Sequence, residues 1–163
     1  MEKARCFIIP GEPQGKGRAK VVRRENMPYP VAITPEKTVM YENLIKAMYM
    51  ERYAGEPPLE GPLRMDVVAR YTIPASVVKG SKKKARMMLE GGIRPTKKPD
   101  IDNLLKAICD AGNGVIFRDD TQIVNLHAFK LYGETPGVAV SISTIDPSEE
   151  GIPFSDIGME EEA

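Results

Sequence analysis

Asp100 and Asp102 flank Ile101 in KKPDIDNLLK (97–106), and Asp119 and Asp120 are adjacent in RDD (118–120). Carboxylates this close in sequence repel one another unless water or a cation separates them. One of the first pair is accounted for as an N-cap, because a helix starting near Asn103 favours negative charge at its free amides. The other acid is left without a role. After that helix come Gly112 and Gly114, which allow a tight reversal, and then VIF (115–117), which reads as a short strand leading back. Such a path predicts that Asp120 returns to the level of Asp100 and Asp102. Carboxylates that converge with no His or Cys nearby make a hard oxygen site, suited to Mg²⁺ or Mn²⁺ and not to zinc. An EF-hand is excluded, since a loop opening at Asp100 has Leu105 where glycine is needed. Lys106 lies one helical turn beyond Asp102. Its spacing by itself suggests an ion pair contributing a few tenths of a kcal/mol. Its chemistry also suits a phosphate contact that offsets charge as water attacks.

The formal charge is zero, with 23 bases against 23 acids, but the charges are sorted along the chain. Lys79, Lys82, Lys83, Lys84, Arg86, Arg94, Lys97 and Lys98 form one basic group, interrupted only by Glu90. Lys16, Arg18, Lys20, Arg23 and Arg24 form another. Asp146, Glu149, Glu150, Asp156, Glu160, Glu161 and Glu162 follow with no base between them. A polyanion-binding body with an acidic appendage fits this sorting, as does a merely solvated basic face. GEPQGKG (11–17) approaches a phosphate loop, but Gly15 comes one residue too early and Gly17 stands where Ser or Thr would bind Mg²⁺. No nucleotide cofactor is expected. His127, inside an alternating run, reads as structural or surface and not as a base. Cys6 and Cys109 read as reduced core thiols. No apolar run approaches a membrane span, and the first residues lack the features of a signal peptide, so no membrane contact and a cytoplasmic location are expected.

The elements that must position these residues follow from periodicity. ARCFII (4–9) predicts a first strand stopped by Pro10. Residues 11–33 show no lasting period and read as a long functional loop. Thr34 before Pro35 predicts a helix cap, with Tyr41, Leu44, Ile45 and Met48 marking a helix to about residue 52. From Leu63 to Ile73 the period is two, the mark of a half-buried strand. Ser81 is set to cap a short basic helix ended by Gly91 and Gly92. Leu104, Leu105, Ile108 and Ala111 give the helix from Asn103 its buried stripe. Runs 123–132 and 138–145 suggest strands joined as a hairpin through GETPG. The sum is a small single α/β (α+β) domain, residues 1–145, with a mixed sheet flanked by helices. Residues 146–163 read as an acidic, flexible tail.

KPDIDNLLKAICDA (98–111), RDDTQI (118–123), IPGEPQGKGRAK (9–20) and TPEKTVMYE (34–42) resemble the RusA-like endodeoxyribonucleases, Holliday junction resolvases of bacteria and their phages. The central block with the double aspartate is the specific part. The resemblance implies a small α/β homodimer that cuts branched DNA, four-way junctions above all, with Mg²⁺. It matches Asp100, Asp102 and Asp120 to metal-binding catalytic aspartates, Asp119 to their less decisive neighbour, and Lys106 to a lysine needed for cleavage. Lys16, Arg18 and Lys20 then lie in a DNA-facing loop, and Lys82, Lys83, Lys84, Lys97 and Lys98 become further candidates for phosphate contacts. Alternatives that the sequence leaves open are a related nuclease acting on flaps or forks, and a non-catalytic nucleic-acid-binding protein whose aspartates are only caps.

Overall fold

A computed structural model describes residues 4–145; the predicted acidic tail, 146–163, lies outside the described residues. Strand β1 (Arg5–Pro10) alternates, burying Phe7 and Ile9 and turning Cys6 and Ile8 outward. Cys6 is therefore an exposed free thiol and not the expected core residue, because the pleat puts alternate residues on opposite faces. The chain then leaves the sheet. Where sequence predicts only a loop, β2 (Lys20–Val22) and β3 (Val31–Ile33) form a two-stranded antiparallel ribbon, with Val21 opposite Ala32. Three-residue strands are too short to display a period.

Helix α1 (Glu36–Tyr53) buries Tyr41, Ile45 and Tyr49, each one turn from the next. Pro35, not Thr34, occupies the cap position, with extended ψ of 140° and no side-chain cap hydrogen bond. Strand β4 (Leu63–Thr72) shows the predicted alternation, burying Leu63, Met65, Val67, Ala69 and Tyr71. Helix α2 (Ala75–Gly80) was not foreseen, and it buries nothing that would print a stripe on the sequence. In α3 (Lys82–Leu89) the Ser81 hydroxyl accepts from the Lys84 amide at 3.2 Å, the expected cap. Helix α4 (Ile101–Gly112) starts two residues earlier than predicted and buries Leu104, Ala107, Ile108 and Ala111, while Leu105 is half-buried.

Strands β5 (Ile123–Gly133) and β6 (Gly137–Thr144) complete a four-stranded mixed sheet in the order β1-β6-β4-β5. They are not a hairpin. Strand β5 pairs parallel with β4, β6 pairs antiparallel with β4 on its other edge, and the short connection passes over the end of β4. Gly133 aligns with Thr72 and Gly137 with Arg70, so the link spans two inter-strand spacings, about 10 Å, which its residues can reach. Residues 115–117 are also not a strand. Gly114 donates to the Phe117 carbonyl at 2.8 Å, closing a turn whose Ile116 and Phe117 are buried. Among the described residues no helix is long and apolar enough to cross a membrane. The architecture is the expected small α+β domain.

Candidate functional site

The mouth of α4 is tied down from three sides. The Pro99 carbonyl accepts from the Tyr71 hydroxyl at 3.2 Å and from Lys130 Nζ at 3.0 Å. Lys130 also donates to the Lys97 carbonyl, and its Nζ lies 5.1 Å from the centre of the Tyr71 ring, which Lys97 Nζ approaches to 5.5 Å. From the other side comes the amino-terminal loop. The Lys16 amide donates to the Asn103 carbonyl at 2.9 Å, and a Cβ on Gly15 would sit 2.9 Å from Pro99 Cβ, so only glycine permits this approach. These contacts gather Gly15, Lys16, Arg18, Lys98, Pro99, Asp100 and Asn103 around one cleft of about 660 Å³.

Asp100 takes the N-cap position of α4, yet its exposed side chain makes no cap hydrogen bond. The capping account of the acid pair therefore lacks its bond, and the carboxylate is left for other work. Asp102 lies in the first turn, 3.9 Å from Lys106 Nζ, with both side chains about two-thirds exposed (66% and 64%). So exposed a pair is weak and leaves the ammonium available.

The second acid group sits at the other end of the helix. Asp119 precedes a one-turn 3₁₀ helix (Asp120–Gln122). Gln122 fixes this corner: its side-chain oxygen accepts from the Arg118 and Asp119 amides, and its Nε2 donates to the Leu59 and Gly61 carbonyls. Desolvation raises the Asp120 carboxyl above the usual range, helped by a hydrogen bond with Asp119 and by the charges of Asp119 and Asp110, against a lowering bond from Asn113. Asp120 is thus grouped with the last turn of α4. Burial, with Asp120 and Asp110 adding to it, likewise pushes the Cys109 thiol up to about 11.

Asp100 and Asp110 are ten residues apart on α4, roughly 15 Å at 1.5 Å per residue. The expected meeting of Asp100, Asp102 and Asp120 within one chain does not occur, and among the described residues no three acid, His or Cys side chains gather to hold an ion. The cause is the turn at 113–117, which closes at the carboxyl end of α4 where a returning strand was expected. Sequence reasoning also missed Lys130, Gln122 and Asp110. Asp110 had a signal: with Asp102 and Lys106 it forms a stripe at steps of four residues.

The basic candidates divide. Arg18 and Lys98 face the cleft. Lys16 lines it too, but its Nζ is paired with Asp110, and that hydrogen bond holds its pKa above the usual lysine value despite some burial. Lys97 lies over Tyr71. Lys20 is exposed on the ribbon, and Lys82, Lys83 and Lys84 are exposed at the start of α3. His127 is on the outward side of β5, 3.2 Å from Asp66 Oδ1, a surface histidine as expected.

A family model for the endodeoxyribonuclease RusA matches residues 10–143, nearly all the described chain. This chain belongs to the RusA endodeoxyribonuclease family. Within the match lie both acid groups, Lys106, the cleft and the ribbon, so the activity class of the family, endodeoxyribonuclease, extends over the whole candidate site. A relative from Bacillus subtilis (strain 168), "Uncharacterized protein YqaN", is 35% identical over 139 residues, covering 85% of this chain and 95% of that protein.

Proposed function

We propose that this RusA-family chain is a Mg²⁺-dependent, structure-selective endodeoxyribonuclease that resolves four-way DNA junctions by paired symmetric nicks, serving recombination and repair. The observation that carries this reading is the cleft at the mouth of α4, where Arg18 and Lys98 stand beside the uncapped carboxylate of Asp100. Bases that hold a phosphodiester next to an acid that can hold a cation are what hydrolysis of DNA requires. A binding protein that uses all its aspartates as caps fits less well: Asp119 forms a capping box with Gln122, but Asp100 makes no cap bond.

The donor set is Asp100, Asp102 and Asp120, with Asp119 adjoining. Its all-oxygen chemistry fits Mg²⁺, with Mn²⁺ as a substitute. Crowding of Asp120 by Asp119 and Asp110 is a second sign of fit, because a dication relieves it. When bound, the ion polarises the phosphate and activates water. Lys106, exposed and midway between Asp102 and Asp110, offsets charge on the phosphate as that water attacks.

What one chain lacks is nearness between the two halves of the set. A second copy related by a two-fold axis, with its Asp119–Asp120 corner against the Asp100–Asp102 end of the first, joins them. A homodimer of this kind also presents two equivalent sites to a two-fold substrate. The setting is the cytoplasm of a bacterium, with the gene carried by the host or by a phage.

The test is to incubate labelled junction, fork, linear duplex and RNA hairpin with the protein in Mg²⁺ or EDTA. Symmetric nicks in the junction, only with Mg²⁺, are expected. Preferential cutting of the fork moves the substrate to other branched DNA, and no cutting of any DNA rejects the nuclease.

A further inference from the structure

We propose that the β2–β3 ribbon is a base-stacking arm: Tyr29, near its tip, packs on a nucleobase left unstacked at a DNA branch point while Lys20, Arg23 and Arg24 hold neighbouring phosphates. The identity of the ligand rests on the nuclease reading above.

Every residue from Arg18 to Pro30 is exposed. Tyr29 is 70%, Val21 71% and Met27 50% exposed, large apolar side chains on an element that covers none of them. A two-stranded ribbon is at best marginally stable alone in water, so this exposure gives the free protein nothing. An external partner is called for, and charge selects its kind. Arg18, Lys20, Arg23 and Arg24 bracket Val21 and precede Met27 and Tyr29 in the same segment, and Glu25 is the one acid between Arg18 and Ile33. A second copy packed here about a two-fold axis would set like charges against like. A nucleic-acid strand meets the bases with phosphate and the tyrosine with a ring face, the combination by which single strands are held.

Presentation and reach agree with this. Pro28 and Pro30 flank Tyr29 and restrict the backbone on either side, so little conformational freedom is lost on stacking. The root of the ribbon is fixed at the cleft. The Gly17 amide donates to Thr38 Oγ1 at 2.9 Å, and a Cβ on Gly17 would sit 3.0 Å from Pro35 Cγ. Six residues of chain, at most roughly 20 Å, separate Tyr29 from Pro35. That is a few nucleotides' distance. The arm therefore relates the branch point to the phosphate in the cleft, and a branched substrate is favoured over a plain duplex because only the branch offers a free base face.

The experiment compares the full-length protein with Tyr29→Ala and Tyr29→Trp in EDTA, so that no strand is cut. Affinity is measured for a four-way junction and for its linear duplex, and crossover thymines are probed with permanganate, which attacks unstacked bases. Wild-type protein is expected to raise crossover reactivity. Tyr29→Ala is expected to lose that rise and to bind the junction roughly 5- to 150-fold more weakly, with duplex affinity unchanged, while Tyr29→Trp keeps both properties. Tyr29→Ala that keeps both overturns the proposal, as does its conversion of a dimer to monomers in sedimentation, which assigns the ribbon to self-association. Failure of the nuclease reading is distinguishable: a wild-type protein that opens the crossover in EDTA yet never nicks with Mg²⁺ upholds the arm and rejects the nuclease.

Discussion

Lys106 and Lys130 both lie by the start of α4, Lys106 beside Asp102 and Lys130 on the Lys97 and Pro99 carbonyls, and their surroundings suit them to different tasks. Lys106 is about two-thirds exposed and makes only a 3.9 Å contact with Asp102, so it contributes little to folding and is free to meet a phosphate. Lys106→Ala is expected to lower kcat by about a hundredfold with a much smaller loss of junction affinity; equal losses in single-turnover cleavage and in binding would make it a phosphate clamp instead. Lys130 instead reaches into the protein. Its ammonium bonds the Lys97 and Pro99 carbonyls and lies over Tyr71, holding the segment that leads straight into Asp100. Lys130→Met leaves Pro99 with the Tyr71 bond alone and loosens that approach. The expected outcome is a several-fold to tenfold weaker Mn²⁺ affinity by titration, the lower end of the effect of outer-shell groups, with partial recovery in Lys130→Arg. A purely structural lysine would instead lower the melting temperature and leave metal affinity intact.

At the scale of elements, the turn after α4 decides where the second acid group goes. Gly112 is helical and buried, and a Cβ there would lie 2.6 Å from Phe117 Cζ. Alanine in a helix is worth up to about 1 kcal/mol over glycine, but overpacking costs typically about 1–3 kcal/mol. The clash should win. Gly112→Ala is expected to lower stability by up to about 2 kcal/mol in urea denaturation and to displace the Asp119–Asp120 corner. Elements with one buried face were legible in the sequence: β4 prints its alternation and α4 its apolar stripe, and Ser81 announced α3 through a local bond. Features that depend on a partner were not. Runs 123–132 and 138–145 read correctly as strands, but a period of two does not say which neighbour a strand pairs with, so β4 between them was invisible. Helix α2 buries nothing and left no pattern. For the site, Asp100, Asp102 and Lys106 could be placed from local spacing, whereas the position of Asp120 depended on the length of a reversal that glycines permit but do not specify.

For the whole molecule, the sorted charges and the divided acids both bear on assembly. Truncation after Asp146 removes six acids, Glu149, Glu150, Asp156, Glu160, Glu161 and Glu162, and no base, leaving a net positive chain whose matched region, 10–143, is intact. The shortened protein is expected to keep its melting temperature and its nicking rate and to bind duplex more tightly at low salt, with that gain fading as salt rises. The stronger test concerns where the metal set closes. If the Asp100–Asp102 end of one copy is completed by Asp120 of another, then Asp102→Asn and Asp120→Asn proteins are each inactive as homodimers, both sites in each being damaged. Mixed and allowed to exchange subunits, they form heterodimers in which one site carries both substitutions and the other carries neither. The mixture is therefore expected to regain nicking of a single strand per junction, without the paired cut, at a rate set by the heterodimer fraction. A set closed within one chain predicts no recovery at any mixing ratio, because every site then keeps one of the two substitutions.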